Sequence, residues 1–333
     1  MTSAPRQTVR DTGRAPLSSL GIPFGLSGLA GTWTMAAGTD LAPQIIADGL
    51  WMLAAAAWIT VVANYLWRSR NRGGSVLEDL RDPVQGAFAS LAPTSAMLIC
   101  THYAPQLPMT GRIVTGLFMA IGLLFGAWFL SQLALRERSI DAIHAGYLLP
   151  TVAAAFIVGQ SAGTFGWTLL GEAAVAVGIL FWLVLGTIIL ARMAFRPAPP
   201  AALLPTFAIF SAPPAVAGNA WFAVHGGRID QVETLLLGTF VVLILVQLMI
   251  LGAYWRLPFT LGLWVFTFTA TSSGTYTVHW LALWGGPGHA VWAWFAIALV
   301  TILIGSIAVR SAALLTAHSR IDAQGVAPSA QLL

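Results

Sequence analysis

Prolines fall in alternate apolar stretches of this chain. Ten stretches of membrane-spanning length can be read along it, and the first, third, fifth and seventh carry an interior proline, namely Pro23, Pro93, Pro150 and Pro213. The even-numbered stretches carry none. An interior proline removes one backbone hydrogen bond and kinks a helix, which lipid tolerates only where the freed carbonyl meets protein or water. The alternation therefore predicts broken helices that face something polar, such as a pore, and regular helices that face lipid.

The composition places most of the chain in a membrane. Hydrophobic residues make up 57% of the 333 residues and charged residues only 8%, whereas soluble domains carry about 25% charged residues. The single cysteine, Cys100, excludes an internal disulfide. All 16 basic residues are arginines, and we attribute the formal charge of +4 to arginines that set topology rather than to nucleic-acid binding. A polytopic membrane protein with little mass outside the bilayer is predicted.

Ten spans of about 20 residues, the length that crosses the hydrocarbon core as a helix, account for the apolar sequence. They divide the chain into an N-terminal tail (1–16), a transmembrane domain (17–310) and a C-terminal tail (311–333). The predicted spans are 17–37, 48–67, 83–103, 112–133, 142–161, 166–190, 203–224, 233–254, 259–282 and 289–310.

The arginines support this count, because a missed or extra span would scatter them over both sides. Only Arg112 and Arg228 fall on one side. The positive-inside rule places the larger group in the cytoplasm, which predicts a multi-pass protein of the cell (inner) membrane with both tails cytoplasmic. The larger group consists of Arg6, Arg10, Arg14, Arg68, Arg70, Arg72, Arg81, Arg136, Arg138, Arg192, Arg196, Arg256, Arg310 and Arg320.

Short external connections, such as SAGTFG and WGGPG, join consecutive spans into hairpins. The predicted fold is an all-α membrane protein of ten transmembrane helices in five hairpins, with the odd helices lining a central pore and the even helices forming an outer ring. Glycines accompany the prolines, for example Gly21 and Gly25 beside Pro23. Small residues also serve ordinary helix packing, but glycine and proline together favour a pore lining. Its predicted residues here are Gly21, Pro23, Gly25, Pro93, Pro150 and Pro213.

The ninth stretch has no interior proline and is instead rich in hydroxyl side chains. Thr269 and Ser272 can bond back to helix carbonyls and bend the helix, and they also offer donors to a passing ion. Phe266 and Phe268 are two residues apart and so lie on different faces. A phenyl ring in a narrow lumen forms a hydrophobic constriction that gates by exclusion or dewetting. Ordinary packing of both rings is the open alternative.

Few ionisable residues fall inside the predicted spans. Glu172 lies in the sixth and is a functional candidate by position, although a structural role across a hairpin or subunit contact is favoured. Asp230 and Glu233 are placed outside the bilayer. No nucleophile–base pair, metal-ligand set or cofactor motif is evident, so neither an enzyme nor a bound cofactor or metal is predicted. A nearly uncharged lumen with helix N-termini favours weakly bound anions.

Four strings in order resemble the tellurite-resistance and C4-dicarboxylate transporter family, which includes the plant slow-type anion channels. GIPFGLSGLAGTW resembles the first-helix signature, DPVQGAFASLAP the start of the third helix, APPAVAGNAW the seventh and WVFTFTATSS the ninth. The resemblance runs over nearly the whole membrane part of the chain.

The resemblance implies a homotrimer in which each subunit holds its own pore, lined by five kinked odd helices. The family's W-x-[FY]-x-F string falls on Trp264, Phe266 and Phe268, which implies that Phe268 is the gate. Many relatives have proline after the gating phenylalanine, whereas this chain has Thr269, so the kink there is left to Thr269 and its hydroxyl neighbours.

The sequence therefore predicts an anion channel in a lipid membrane, conducting small anions such as chloride and nitrate. The alternative is a secondary transporter or exporter of oxyanions such as C4-dicarboxylate, sulfite or tellurite. The scarcity of buried titratable groups argues against proton-coupled transport.

Overall fold

The computed structural model describes residues 16–71 and 75–323, with no account of the side chains of 317–323. The described part is helical and contains no strand, which confirms the all-α prediction there. Arg6, Arg10, Arg14 and Arg72 and the N-terminal tail up to residue 15 lie outside it, as does the side chain of Arg320. The α-helices are α1 (Gly21–Gly38), α2 (Gln44–Asn71), α3 (Val76–Arg81), α4 (Leu91–Tyr103), α5 (Pro108–Leu135), α6 (Ala154–Thr164), α7 (Thr168–Phe195), α8 (Phe207–Phe210), α9 (Pro213–Val224), α10 (Gln231–Trp255), α11 (Val265–Trp284) and α12 (His289–Ala323).

Seven helical stretches among the described residues are long and apolar enough to cross a membrane. The predicted first, third and ninth spans are helical as well, but they are shorter or less apolar and are not among the seven. The final helix, α12, runs past the predicted end of its span at residue 310 as far as Ala323. The seven are Gln44–Asn71, Pro108–Leu135, Ala145–Thr164, Thr168–Phe195, Ala201–Val224, Gln231–Trp255 and His289–Thr316.

The predicted odd segments all begin with non-α turns before an α-helix starts. We call these segments the inner segments. Each is followed in the chain by one long helix, and we call these five long helices the outer helices; they are α2, α5, α7, α10 and α12. The turns in the fifth are 3₁₀ followed by a π-helix, whereas the other four carry 3₁₀ turns alone. These turns comprise Leu17–Leu20, Gly86–Ser90, Ala145–Leu148 with Leu149–Ala153, Ala201–Thr206 and Leu261–Trp264.

The four alternating prolines sit close to these junctions rather than in the middle of a helix, which corrects the expected interior kinks. Pro23 and Pro93 are the third residues of α1 and α4, and Pro213 is the first residue of α9. Pro150 lies in the π-helix before α6. Proline lacks an N–H but fits the first turn of an α-helix, where that donor has no helical partner. The prolines thus mark where each inner α-helix begins.

The ninth segment is broken at a different place from the one expected. Its irregular turn is the 3₁₀ stretch Leu261–Trp264, and α11 is then a continuous α-helix through Thr269 to Trp284. The expected kink at Thr269 is therefore wrong, because that residue keeps its backbone N–H and its hydroxyl does not interrupt the helix.

Burial separates two populations of helix. In an apolar 18-residue part of each stretch, 89% of the residues are buried in Ala145–Thr164 and 67% in Ala201–Val224, against 11% in Gln231–Trp255 and 17% in Gln44–Asn71. The buried stretches are the irregular ones, and the exposed stretches are regular helices with apolar surfaces. Irregular backbone at membrane depth needs protein around it, which the outer helices supply.

Glycines let α1 and α11 approach each other closely. A Cβ at Gly28 would overlap the Thr271 hydroxyl and lie 3.2 Å from Cδ2 of Phe268. A Cβ at Gly25 would lie 2.6 Å from Cβ of Thr267. Thr32 of α1 completes the contact by donating a hydrogen bond to the carbonyl oxygen of Thr271, at 3.1 Å. This close contact positions the aromatic residues of both helices.

Candidate functional site

A cavity of about 110 Å³ lies among the inner segments. Each inner segment contributes to its wall, from the N-terminal half or the middle of the segment, and no wall residue comes from the described parts of the outer helices. We call it the central cavity. One wall residue from each inner segment in turn is Phe24, Phe88, Val152, Ile209 and Phe268.

Two phenylalanine rings stack in the wall of the central cavity. The ring centroids of Phe24 in α1 and Phe268 in α11 are 3.6 Å apart, and the ring planes differ by 15°. Phe24 is buried and Phe268 is half-buried. A pair of stacked rings presents only carbon surface to the cavity, so it offers an ion no replacement for its hydration shell.

The wall of the central cavity carries no charged side chain among the described residues. Its polar side chains are few and neutral, Gln85 and Thr206 among them. Nor do three or more His, Cys, Asp or Glu side chains cluster as metal ligands anywhere in the part of the chain described. Such a wall offers a bound ion no opposite charge, only neutral groups and backbone dipoles.

The hydroxyl groups of Thr269 and Ser272 are committed to the protein backbone. Thr269 donates to the carbonyl oxygen of Ala208 at 3.3 Å, and Ser272 donates to that of Phe268 at 2.8 Å. Asn219 of α9 donates to the Ser272 carbonyl at 3.0 Å. The expectation that both hydroxyls offer donors to an ion is therefore wrong for this conformation, since their protons already serve carbonyl groups.

The predicted pore-lining residues divide into those in the cavity wall and those behind it. Gly21, Pro213 and Thr269 lie in the wall together with Phe268. The candidates that are buried in the inner segments but lie outside this wall are Pro23, Gly25, Pro93, Pro150 and Ser272.

Phe266 faces away from the central cavity. Its ring packs edge-on against Tyr254 of α10, with centroids 4.7 Å apart and planes at 71°. Two positions along an α-helix turn the side chain to nearly the opposite face, so Phe266 cannot share the cavity with Phe268. Its expected place in the pore lining is corrected on this ground.

Phe24 was missed by the reading of the sequence, although a signal for it exists. Gly21, Gly25 and Gly28 repeat at helical spacing, which places them on one face of α1. Phe24 falls on that same face, the one that contacts α11. A glycine stripe with one aromatic residue inside it indicates a ring held at a close helix contact.

The side chain of Glu233, which was predicted to lie outside the bilayer, is fully buried within the protein. It is the third residue of α10, and its Oε2 accepts a 2.8 Å hydrogen bond from the hydroxyl of Tyr276 in α11. Its Oε1 has no hydrogen-bond partner among the described residues. The pattern Asp230-x-x-Glu233 is a capping-box spacing, which is the sequence signal for a glutamate inside the first turn.

Asp230 fixes the start of α10 and so the position of Glu233. It accepts hydrogen bonds from the backbone N–H of Glu233 at 2.9 Å and from the indole of Trp221 at 2.7 Å. Burial opposes its ionisation, but these hydrogen bonds outweigh burial and lower the pKa of Asp230. An ionised N-cap carboxylate stabilises the helix start.

Glu172 lies nearer the end of its helix than predicted. It is the fifth residue of α7 and is 42% exposed, and its Oε1 lies 3.5 Å from Nε2 of His225. His225 follows the end of α9. The contact joins the ends of two helices, in keeping with the structural role across elements that the sequence favoured.

Comparison with known proteins identifies the family. The family model described as SLAC1, voltage-dependent anion channel, matches residues 14–314. The chain belongs to this family. It is also 24% identical, over 261 residues, to the tellurite resistance protein TehA homolog of Haemophilus influenzae, covering 77% of this chain and 78% of that protein. The resemblance found in the sequence is thereby confirmed.

Family membership gives the general function. Members of the SLAC1 family are anion channels or transporters, so this chain is a multi-pass membrane protein of anion transport rather than an enzyme. It is also a homologue of a tellurite resistance protein.

Proposed function

We propose that this protein is an anion channel whose pore runs through each subunit along the central cavity. The observation that carries the proposal is the wall of that cavity, to which all five inner segments contribute and the outer helices do not. The proposal includes the arrangement of ten transmembrane helices in five hairpins, because the first, third and ninth segments then cross the membrane inside the outer helices. Their lower apolarity fits a position shielded from lipid.

Phe268 is proposed as the gate, with Phe24 as its partner. The two rings stack at 3.6 Å beside a cavity without charged side chains. A hydrated anion passing them loses water ligands and gains only carbon contacts, which is the physical basis of a hydrophobic gate. Rotation of the Phe268 ring away from Phe24 would open the path. Of the predicted pore-lining residues, Gly21, Pro213 and Thr269 are proposed to line the pore at the central cavity, with Phe266 facing away from it. The others lie behind this wall, namely Pro23, Gly25, Pro93, Pro150 and Ser272.

Selectivity for anions is proposed to come from backbone dipoles. On the ten-span arrangement the inner segments all run in one direction, and the cavity receives residues from their N-terminal halves or middles. The N-termini of the inner α-helices, which are the positive ends of the helix dipoles, then lie beside the central cavity. Weak binding of this kind suits small monovalent anions such as chloride and nitrate, ranked partly by the energy of dehydration.

A secondary transporter or exporter of oxyanions is the second candidate. The name of the Haemophilus relative, a tellurite resistance protein, favours it. A proton-coupled carrier needs a titratable group on the substrate path, and the described wall of the central cavity has none. C4-dicarboxylate, sulfite and tellurite are the substrates to test.

A reversal-potential series separates the two candidates. The purified protein in a planar bilayer is exposed to chloride on one side and, in turn, to nitrate, sulfite, tellurite or malate on the other. A channel gives currents that grow with voltage and reversal potentials that follow the anion gradient. Saturating flux that needs a proton gradient, with no current, would instead establish the carrier.

The assembly is proposed to be a homotrimer embedded in lipid, in the cell (inner) membrane with both termini cytoplasmic. The outer helices expose large apolar side chains, such as Leu183 of α7 and Met249 of α10, which lipid and neighbouring subunits can cover. Native mass spectrometry from detergent measures the subunit number. Thiol labelling of cysteines introduced in each tail, in sealed cells, measures the orientation.

A further inference from the structure

A second cavity, of about 230 Å³, lies at the arginine-rich end of the molecule between α5, α7 and the segment that leads into α6. We call it the arginine cavity. It shares no wall residue with the central cavity. Arg136, Arg138 and Tyr147 supply its polar wall, and five leucine and isoleucine side chains supply the rest. Its volume is several times the roughly 30 Å³ that one water occupies in the liquid.

Arg192 lies on α7, which contributes to the wall of the arginine cavity, and is only 4% exposed. It follows the wall residues Ile188 and Ile189 by one turn of α7. Its guanidinium makes a long 3.5 Å bond to the carbonyl oxygen of Asp141, while Nε and Nη1 have no hydrogen-bond partner among the described residues. A buried, ionised guanidinium with two unused donors is strongly unfavourable unless an anion or water meets them.

Arg138 adds a second incompletely used guanidinium. Its Nη1 donates to the hydroxyl of Tyr147 at 2.9 Å, and that hydroxyl donates to the carbonyl oxygen of Pro83 at 3.0 Å. Tyr147 is 1% exposed, so it holds Arg138 in a fixed place. Nε of Arg138 has no hydrogen-bond partner in the described part of the chain.

The described wall of the arginine cavity contains no acidic side chain. Asp141 directs its carboxylate to Arg196, with Oδ1 3.1 Å from Nε, and both side chains are about half exposed. Arg192 receives only the backbone carbonyl of Asp141. Arg136 and Arg138 therefore give the wall itself positive charge beside an open volume.

We propose that the arginine cavity binds a phosphate group, held by the guanidinium groups of Arg136, Arg138 and Arg192. Guanidinium donors match phosphate oxygens in geometry and charge. The phosphate belongs either to an anionic phospholipid headgroup or to free phosphate. The apolar wall, in which Ile188 is 39% exposed, would accommodate the start of an acyl chain, and basic pockets between membrane helices recognise lipid headgroups in this way.

The proposal is tested by titrating the purified full-length protein in neutral detergent and following its melting temperature. One arm adds phosphatidylglycerol, with phosphatidylcholine as the reference. The other adds sodium phosphate, with sodium chloride at equal ionic strength as the reference. We expect phosphatidylglycerol to raise the melting temperature, and Arg138→Gln and Arg192→Gln each to shift the titration midpoint about tenfold, as for loss of one charge-assisted hydrogen bond.

Arg256→Gln is the matched control, because it removes the same charge at the same end of the molecule from an exposed site outside this cavity. If Arg192→Gln does not fold, Arg138→Gln is compared with the control instead.

A response to phosphatidylglycerol alone identifies a lipid headgroup, and a response to phosphate as well identifies free phosphate. No response, or equal midpoints in wild type, Arg138→Gln and Arg256→Gln, overturns the site. Anion flux is not part of this test, so it stands or fails independently of the channel.

Discussion

The inner segments and the outer helices solve the same problem of backbone hydrogen bonding in opposite ways. In the outer helix Gln231–Trp255, which keeps its backbone bonds within one regular helix, 11% of the residues in an apolar 18-residue part are buried. In Ala145–Thr164, which contains 3₁₀ and π turns, the same share is 89%. Only a segment surrounded by protein can leave regular geometry, because neighbours must satisfy its carbonyl groups. The comparison teaches that a segment buried in protein does not need regular helix geometry. In the inner segments the irregular turns shape a cavity.

Side chains on other helices add donors to carbonyl groups of the inner segments. The indole of Trp58 in α2 donates to the carbonyl of Ala92, just before Pro93, at 2.8 Å. Thr269 of α11 donates to the carbonyl of Ala208, the second residue of α8, at 3.3 Å. Polar residues in the inner segments thus mainly stabilise the fold. The stacked pair of Phe24 and Phe268 is the feature that most directly affects the ion path.

The largest expected effect separates two phenylalanines on one helix. Phe268→Ala removes the ring that stacks on Phe24 in the cavity wall, and we expect anion current to rise about tenfold or more, equivalent to about 1.4 kcal/mol off the barrier. Phe266→Ala, the matched control two residues away, faces Tyr254 and should leave current unchanged. Bilayer current per protein, with surface or reconstitution levels measured, gives the comparison. Equal currents in both variants would remove Phe268 from the gate.

The next prediction compares a glycine of an inner segment with one of an outer helix. Gly28→Ala places a methyl group against Thr271 and Phe268, and overpacking of this kind typically destabilises a protein by about 1–3 kcal/mol. Gly238→Ala meets no atom within 4 Å and should be neutral or stabilising by about 1 kcal/mol at most, from helix propensity. The midpoint of denaturation in detergent measures both. A loss at Gly238 similar to that at Gly28 would contradict an open surface there and indicate contact with another subunit.

A third prediction concerns Glu233, whose carboxyl side chain is fully buried. Glu233→Ala leaves the hydroxyl of Tyr276 without its 2.8 Å acceptor and should destabilise the protein by about 2 kcal/mol. Glu233→Gln keeps an acceptor oxygen and should lose less. Combining Glu233→Ala with Tyr276→Phe gives a double-mutant cycle. If the two losses simply add, the pair does not interact as the geometry indicates.

The sequence predicted the inner segments well because their signals are local. Pro23, Pro93, Pro150 and Pro213 each act on the backbone at their own position, so alternate irregular segments could be read without knowing any contact. Phe268, a ring that lies in the cavity wall, was singled out by the resemblance to a known family and not by a local signal.

The parts that could not be read depend on packing between distant residues. The stacking of Phe24 on Phe268 joins two ends of the chain through a glycine contact, and no local pattern names the partner. Glu233 was placed outside the bilayer by the span count and the arginine positions, neither of which indicates that its side chain is buried against Tyr276 of another helix. The use of the Thr269 and Ser272 hydroxyls by backbone carbonyls also follows only from the fold.

The smallest expected effect sharpens the contrast between buried and exposed carboxyl groups. Glu172→Gln weakens a contact with His225 in which the glutamate is 42% exposed, and exposed ion pairs contribute about 0–1 kcal/mol. We expect a change of about 0.5 kcal/mol or less and an unaltered anion current. The same denaturation midpoint and bilayer current measure it beside Glu233→Ala. A large drop in current with normal stability would show that Glu172 acts on the ion path. A functional carboxylate would then lie on an outer helix, which would contradict the division of roles between the inner segments and the outer helices.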